Sequence, residues 1–261
     1  MCDLAAHEAS LANTIFAGQL HFSAVTDSTN TDALDAARAG APHGSVYFAD
    51  EQLAGRGRGD HTWHSAAGEG LYVSVLLRPR IPAARLPLLP LAAGLAAADA
   101  VRTVSGLNVD LRWPNDLLIG PRKAGGILVE ANTKSGTLAF AVVGIGINAH
   151  QPSFTPDLST PATSLDLECG RSIARQSLLV ALLESLQREA LGLLDASSAQ
   201  TIPRRVEQSS TWVRGRRVEV HGPQACAGVT AGLDEHGFLL VRTTDGLVTV
   251  QTGGIRAAEK G

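Results

Sequence analysis

Apolar and polar positions follow two different patterns along the chain, and the change falls near residue 211. Before that point, short apolar runs typical of strands occur between longer segments whose apolar residues recur at helical spacing. Beyond it, only short β-type runs separated by turn residues remain, at the spacing of a small barrel. The predicted helices are 28–40, 84–103, 172–194 and 200–208, and the predicted strands are 45–50, 70–77, 109–113, 122–130, 137–148, 216–220, 228–232, 237–242 and 247–250.

This pattern predicts an α+β protein of two domains. Residues 1–210 are expected to form a mixed β-sheet with helices on one face, and residues 211–261 a small β-barrel. The first 20 residues show weak periodicity and are too few for a separate DNA-binding module, which needs several helices.

Composition narrows the class of protein. With 44% hydrophobic and 18% charged residues, the chain fits a globular protein rather than a disordered one. A net charge of −3 provides no basic field for a nucleic-acid backbone. Cys2, Cys169 and Cys226 form no CxxC pair and fit a reducing cytosol. No signal peptide is recognisable, and the most apolar stretch, 86–101, is broken by prolines, which indicates a buried helix rather than a membrane span.

The candidate chemistry centres on a glycine-rich loop at 51–63. Three glycines alternate with Arg56 and Arg58, so the backbone can turn its N–H groups toward an anion. The arginine forks suit carboxylate or phosphate oxygens, and Trp63 offers a flat face for a ring. The alternative is a solvated surface loop, but a position between two predicted strands favours binding.

Four further segments carry polar groups at turns or at the ends of elements. Residues 28–30 lie at a predicted helix N-terminus, where their polar side chains either cap the helix or bind a ligand. The turn after Pro114 carries an amide and a carboxylate at 115–116, as an Asx turn does. Lys123 precedes a glycine pair and can reach a ligand that lies against the backbone. The segment 144–148 reads GxGxN and lacks the dinucleotide fingerprint GxGxxG.

Together and in order, these motifs resemble those of the biotin protein ligases, over about residues 20 to 256. The motifs that carry the resemblance are Ser28-Thr29-Asn30, Gln52 with Gly55-Arg56-Gly57-Arg58 and Trp63, Arg112-Trp113-Pro114-Asn115-Asp116, Lys123 to Glu130, and Gly144-Ile145-Gly146-Ile147-Asn148. Because five motifs occur in the same order as in that family, agreement by chance is a poor explanation. The resemblance implies a class II synthetase-like catalytic domain with an SH3-like barrel, in a monofunctional form without an N-terminal DNA-binding domain.

The resemblance also implies a reaction, its cofactors and its partners. ATP with Mg²⁺ adenylates the biotin carboxylate, and a lysine of a biotin carboxyl carrier protein, from acetyl-CoA carboxylase or a related carboxylase, then takes the biotinyl group. A cytoplasmic enzyme without DNA or membrane partners is expected. The resemblance leaves a homodimer open, because members of the family often pair through the central sheet.

Residue roles follow from the same resemblance. The implied biotin-binding residues are Ser28, Thr29, Asn30, Gln52, Gly55, Arg56, Gly57, Arg58, Lys123, Gly126 and Gly144. The implied ATP or adenylate contacts are Arg58, Trp63, Arg112, Asn115, Lys123 and Asn148. The catalytic residues are expected to be Arg58, Lys123 and Asp116, with Asp116 also on the metal and phosphate side. We hypothesise that Asp116 orients or deprotonates the acceptor lysine, whose ordinary pKa is about 10.4.

The chain departs from the family pattern in two places. Arg112 replaces the usual lysine before Trp-Pro-Asn-Asp, which keeps the charge and changes the geometry. The arginine loop continues with Gly59-Asp60-His61-Thr62 instead of basic residues. The weaker positive charge predicts faster loss of the adenylate than in a relative with a more basic loop, and an adenylate half-life no shorter than that relative's would contradict this.

Three other interpretations stay open on the sequence. A lipoate or octanoate ligase or transferase resembles this fold, but a plain acyl chain does not need the hydrogen-bonding groups of Ser28, Thr29 and Gln52. A biotin-responsive repressor or other nucleic-acid binder is disfavoured by the acidic pI. A scaffold without activity is disfavoured because Arg58, Lys123 and Asp116 are all present.

Overall fold

The computed structural model of the chain describes residues 4–59, 61–156 and 158–258. Its larger sheet has seven strands in the order β1-β2-β3-β7-β6-β5-β4. β1 and β2 are parallel and the other neighbours are antiparallel, so the sheet is mixed as predicted. The strands are β1 (Leu20–Thr26), β2 (Val46–Gln52), β3 (Gly70–Leu77), β4 (Asp110–Arg112), β5 (Asp116–Ile119), β6 (Arg122–Lys134) and β7 (Thr137–Asn148).

The helices that the structure describes are α1 (Leu4–Ser10), α2 (Thr29–Arg38), α3 (Leu88–Ser105), α4 (Leu165–Cys169), α5 (Arg175–Leu194) and α6 (Ala196–Gln208). Four of them correspond to the predicted helical segments, and α1 and α4 were not predicted. Gly106 ends α3 in a left-handed conformation, as its position after the apolar run predicts. By length and composition alone α3 could cross a membrane, and 61% of that stretch is buried inside the protein, as is usual for a core helix.

The two faces of the large sheet differ in what covers them. α3 packs against α5, α6 and one face of β6 and β7, where the main core lies. α2 packs on the opposite face, where Ala33 and Ala37 contact Leu76 and Val142 in a separate small cluster. Because side chains alternate along a strand, even-numbered positions of β3 and β7 face the α2 side. Beyond the short α2, this face is left open for a cleft.

The C-terminal part forms a separate five-stranded sheet in the order β11-β10-β9-β8-β12. Its strands are β8 (Arg214–His221), β9 (Cys226–Leu233), β10 (Leu239–Thr243), β11 (Gly246–Val250) and β12 (Gly254–Ala257). Sequence patterns predict the first four and miss β12, which has only four residues. The proposed domain division at 210/211 falls between α6 and β8.

The small sheet contacts the large one beside the open face. The Trp113 indole N–H donates to the Gly237 carbonyl at 3.1 Å. Trp212 is 6% exposed, and its ring lies 3.7 Å from the Arg216 guanidinium and 5.2 Å from that of Arg112. The loops of the small sheet therefore stand next to the turn between β4 and β5.

Candidate active site

A large cleft of about 1020 Å³ opens on the α2 side of the seven-stranded sheet. Its walls are the N-terminus of α2, the 51–63 loop, the 112–116 turn, the segment after β7 and two loops of the small sheet. Most of the residues predicted for the site line it: Ser28, Thr29, Asn30, Gln52, Arg56, Gly57, Arg58, Trp63, Arg112, Asn115, Asp116, Lys123, Gly126, Gly144 and Asn148.

One end of the cleft is a network of neutral hydrogen-bonding groups. The Thr29 N–H and hydroxyl both donate to Gln52 Oε1, at 2.9 and 3.1 Å. Gln52 Nε2 in turn donates to the Ser65 hydroxyl at 2.8 Å, and the Thr29 hydroxyl lies 2.8 Å from that of Ser74. Ser28 is the N-cap residue of α2, but its side chain makes no capping hydrogen bond and is instead part of the cleft wall.

Glu130 joins this end to the arginine loop. Asn30 Nδ2 donates to Glu130 Oε2 at 2.9 Å, and both guanidinium Nη atoms of Arg56 donate to the same carboxylate. The Ser74 hydroxyl donates to Asn30 Oδ1 at 2.6 Å. Gly144 permits this arrangement, because a Cβ there would lie 2.1 Å from Asn30 Oδ1. Arg56 is therefore held by protein groups, with its carboxylate partner 74 residues away.

The glycine-rich loop folds back on itself as a narrow hairpin. The Trp63 N–H donates to the Gly55 carbonyl at 2.8 Å, and the Gly57 N–H to the His61 carbonyl at 2.7 Å. A Cβ on Gly55 would lie 2.4 Å from the Trp63 carbonyl oxygen, so the close turn requires glycine there. Asp60 lies outside the described residues. The prediction of faster adenylate loss rests in part on this residue and stays a prediction.

Arg58 extends from this hairpin to the small sheet. Its guanidinium donates to the Gly253 carbonyl, and to the Thr252 hydroxyl at 2.9 Å. Burial lowers the pKa of the Arg58 guanidinium, and the charge of nearby Asp116 acts in the opposite direction. Arg58 thus contributes to the same electrostatic group as the 112–116 turn.

Asp116 stands between two further cations. Lys123 Nζ lies 2.5 Å from Asp116 Oδ1, and Arg112 Nε donates to Oδ2 at 3.0 Å. Burial alone would raise the pKa of the Asp116 carboxyl, but the charges of Lys123 and Arg112 and their hydrogen bonds outweigh it, and the net effect lowers that pKa. Three cations around one carboxylate leave an excess of positive charge in the cleft, which suits carboxylate and phosphate groups.

The antiparallel register explains why these groups meet. Arg112 and Asp116 face each other across the β4–β5 hairpin, so a four-residue separation becomes a direct pair. Arg112 Nη2 also donates to the Thr160 hydroxyl at 2.9 Å, and the guanidinium lies over Trp212. A lysine carries its donors on a single nitrogen and has no planar face, so the substitution noted in the sequence brings new contacts.

Trp63 covers the middle of the cleft floor. A Cβ on Gly146 would lie 2.6 Å from the indole, and one on Gly126 would lie 3.4 Å from it. Lys123 Nζ is 5.5 Å from the centre of the ring, within the range of a cation–π contact. The indole Nε1 is buried without a hydrogen-bond partner.

The two asparagines predicted at the nucleotide end bond to the backbone. Asn115 Nδ2 donates to the Ile127 carbonyl at 2.8 Å, and Asn148 Nδ2 to the Thr163 carbonyl at 3.0 Å. Each side-chain nitrogen thus holds together two segments of the cleft wall, and the amide oxygen of each asparagine is left for contact with a ligand. These predicted ligand contacts remain predictions.

The prediction of Asp116 on the metal side, with Mg²⁺ held through the ATP phosphates, stays a prediction. Both oxygens of Asp116 already contact a cation, so a metal ion bound there would add a third positive charge at one carboxylate. No group of three or more His, Cys, Asp or Glu side chains that suits a metal occurs within 4–59, 61–156 and 158–258. We therefore derive no step through a metal held by these side chains.

Sequence analysis did not identify several side chains that complete the cleft. Ser74 is a lone polar residue in an apolar strand, and Glu130 is the acid that ends an apolar run, so both carried a weak signal. Gln151, Ser153, Phe154 and Thr160 belong to the segment after β7, which is rich in Pro, Ser and Thr and for which no helix or strand was predicted.

The family model and the most similar relatives in sequence are all biotin or lipoate ligases. The Biotin/lipoate A/B protein ligase family matches residues 22–148. Bifunctional ligase/repressor BirA of Bacillus spizizenii is 32% identical over 257 residues, which cover 94% of this chain and 76% of that protein. The biotin--[acetyl-CoA-carboxylase] ligase of Mycobacterium tuberculosis is 32% identical over 243 residues, covering 91% of this chain and 88% of that one.

A solved structure agrees with these relatives. The biotin protein ligase from Aquifex aeolicus in complex with biotin and ATP superposes with a TM-score of 0.78 at 28% identity, covering 91% of this chain and 97% of that one. Fold, cleft and family match together define the class, an enzyme of the biotin and lipoate ligase type. Within that class, the chain belongs to the biotin protein ligases.

Proposed function

We propose that this ligase activates biotin with ATP in the cleft and then transfers the biotinyl group to a lysine of a biotin carboxyl carrier protein. The observation that carries the proposal is that one cleft joins a neutral hydrogen-bonding end, around Thr29 and Gln52, to a cationic end, around Arg58, Arg112 and Lys123. Biotin and ATP need this combination, because the ureido group is neutral and the carboxylate and phosphates are anionic.

In the first step, an oxygen of the biotin carboxylate attacks the α-phosphorus of ATP, and pyrophosphate leaves. The carboxylate is ionised at neutral pH, since a carboxylic acid of this kind has a pKa near 4, and no base is needed. The barrier comes from bringing two anions together. Lys123 and Arg58 stabilise the charge on the α-phosphate, and Mg²⁺ enters as the counter-ion of the ATP phosphates.

In the second step, the carrier lysine attacks the carbonyl carbon of the mixed anhydride. An amide forms, AMP leaves, and the protons of the lysine nitrogen pass to solvent water. Of the two roles considered for Asp116, we favour orientation over deprotonation. A carboxylate with a lowered pKa and two cationic partners is a weak base, but its negative charge can still hold the acceptor lysine in place. If D116N still transferred biotin from preformed adenylate at the normal rate, neither role would hold.

The full reaction is tested with a purified carrier domain. The chain is incubated with biotin, ATP, Mg²⁺ and the carrier, and biotin incorporation is followed by streptavidin blotting and intact mass. The matched control is a carrier whose acceptor lysine is changed to arginine. We expect one biotin per native carrier and none on the control, and labelling of both would contradict transfer to a specific lysine.

Partners and location complete the proposal. We propose that the enzyme works in the cytoplasm, consistent with free Cys169 and Cys226, and does not bind duplex DNA. Filter binding at low salt tests the second point. A homodimer paired through the large sheet stays open, and sedimentation of the full chain distinguishes it from a monomer.

A further inference from the structure

Gln151 is a buried polar residue of the cleft whose amide oxygen has no partner. It is 3% exposed, lies three residues beyond the end of β7 and forms part of the cleft wall. Within the described parts of the chain, only Gln151 Oε1 and Trp63 Nε1 are buried side-chain polar atoms without a hydrogen bond. Leaving a buried acceptor without a hydrogen bond is unfavourable, so such atoms usually have a partner in the working protein.

The backbone on either side of this residue is firmly held. The Ser164 hydroxyl donates to the Gln151 carbonyl at 2.7 Å, and the His150 N–H donates to the Glu69 carbonyl at 2.7 Å. Only the end of the side chain keeps freedom, because the last torsion of glutamine has a broad profile. The amide oxygen can therefore turn toward a donor in the cleft without movement of the main chain.

The position along β7 indicates which end of the cleft Gln151 serves. Gly144, Gly146 and Asn148 lie on the cleft face of this strand, with Asn30 against Gly144 and Trp63 against Gly146. Four residues of strand separate Gly144 from Asn148 by about 13 Å. Gln151 follows Asn148, so it belongs to the end opposite the network of Thr29 and Asn30.

The substrates offer few donors that this oxygen could accept. The proposed assignment places the ureido N–H groups of biotin at the neutral end, where Gln52 and Ser28 line the wall. The remaining donors are the ribose hydroxyls and the exocyclic amino group of the ATP base, and of these the edge of the base matches the planar donor and acceptor pair of a glutamine amide. A glutamine amide pairs well with adenine, accepting from N6 and donating to N7, as in protein contacts with DNA.

We propose that Gln151 is a specificity-determining residue of this ligase and accepts a hydrogen bond from the 6-amino group of adenine. This inference rests on the proposed function. It explains the orphaned oxygen, and it disfavours guanine nucleotides, because guanine presents the carbonyl O6 where adenine has its amino group. Two acceptors would then face each other in a buried site.

The test is a double-mutant cycle between the side chain and the amino group. ATP is compared with purine riboside 5′-triphosphate, which lacks only the 6-amino group, in biotin-dependent pyrophosphate release by the wild type and by Q151M, with the carrier domain present so that the enzyme turns over. We expect the wild type to prefer ATP in kcat/KM by about 3- to 10-fold, the range of one neutral hydrogen bond. Q151M should lower this preference to within about twofold, while the KM for biotin stays unchanged.

Two further variants keep the outcome interpretable. Q200M makes the same chemical change at an exposed position of α6 and should keep the wild-type preference. Q151E retains an acceptor and should also keep the preference for ATP, which tests the inference if Q151M does not fold. A full preference in folded Q151M, or its loss in Q151E, would overturn the inference. Wild type that releases no pyrophosphate with biotin would instead overturn the proposed function.

Discussion

At the scale of single residues, Asp116 controls the electrostatics of the cleft. It is 14% exposed and compensates the charges of Lys123 and Arg112. Replacing it with asparagine leaves two cations close together with no counter-charge. We expect D116N to lower the free energy of unfolding at pH 7 by about 3 kcal/mol, the usual cost of breaking a buried ion pair. Urea unfolding measures this, with exposed Asp245→Asn as the control.

The same pair of variants tests the lowered pKa of Asp116. A carboxyl whose folded pKa lies below its unfolded value, about 3.9, stabilises the protein above that value. The contribution is lost as the pH falls through the folded pKa. The difference in unfolding free energy between wild type and D116N should therefore shrink progressively below about pH 4. A difference that stays constant down to acid pH would contradict the ion-pair account.

Glu130 gives a second prediction at this scale. Its carboxylate accepts hydrogen bonds from Arg56 and Asn30, and E130Q removes the charge while keeping the shape. We expect the KM for biotin to rise several-fold with a smaller change in kcat, because the loss loosens the binding end of the cleft and not the reacting end. Arg56 and Glu130 are 40% and 30% exposed, which limits the effect. E219Q, at an exposed position of β8, is the control and should leave KM unchanged.

Residue types at turns and strand ends were predictable from the sequence, but their partners were not. Thr29 was selected because it lies at a helix N-terminus, Asp116 because it lies in the turn after Pro114, and Lys123 because it precedes a glycine pair. The pairing of Asn30 with Glu130 spans 100 residues and depends on the register of β6 and β7, which periodicity does not encode. The bonds of Asn115 and Asn148 to backbone carbonyls depend on tertiary contacts in the same way.

At the scale of elements, β7 supports the site by having no side chain where Trp63 lies. G146A would place a Cβ 2.6 Å from the indole and force it off the sheet. We expect pyrophosphate release to fall by at least tenfold in kcat/KM, with a blue or red shift of tryptophan fluorescence. G192A in α5 is the control, because its Cβ meets only ordinary contacts and should stabilise the helix by about 0.5–1 kcal/mol. Normal activity of G146A would show that the indole position is unimportant.

Helices and strands whose apolar residues recur at a regular spacing were predicted well, and elements without such a spacing were not. α5 and α3 begin within a few residues of their predicted starts because their apolar positions recur at helical spacing. The strand β12 has too few residues for a pattern, and α4 lies before the helix predicted at 172–194, in a stretch where no element was predicted. The position of α2 on the open face follows from sheet topology, which a linear pattern does not specify.

At the scale of the whole molecule, the small sheet belongs to the active-site wall. Trp212 lies between Arg216 and Arg112 and thereby connects β8 to the turn that carries Asp116. We expect W212L to lower the free energy of unfolding by about 2 kcal/mol and to reduce kcat for pyrophosphate release more than it changes the KM for biotin. Exposed Leu247→Ala in β11 is the control. If W212L kept the wild-type kcat, the contact through Trp212 would not contribute to the reaction.

The central claim is that the cleft adenylates biotin, and the most direct measurement is pyrophosphate release from ATP and Mg²⁺ before any carrier is added. Biotin, lipoate and octanoate are compared at equal concentration with the full chain. The account predicts about one equivalent of pyrophosphate per enzyme with biotin and none above background with the other two acids. Release with lipoate or octanoate and not with biotin, or release with none of the three, would contradict it.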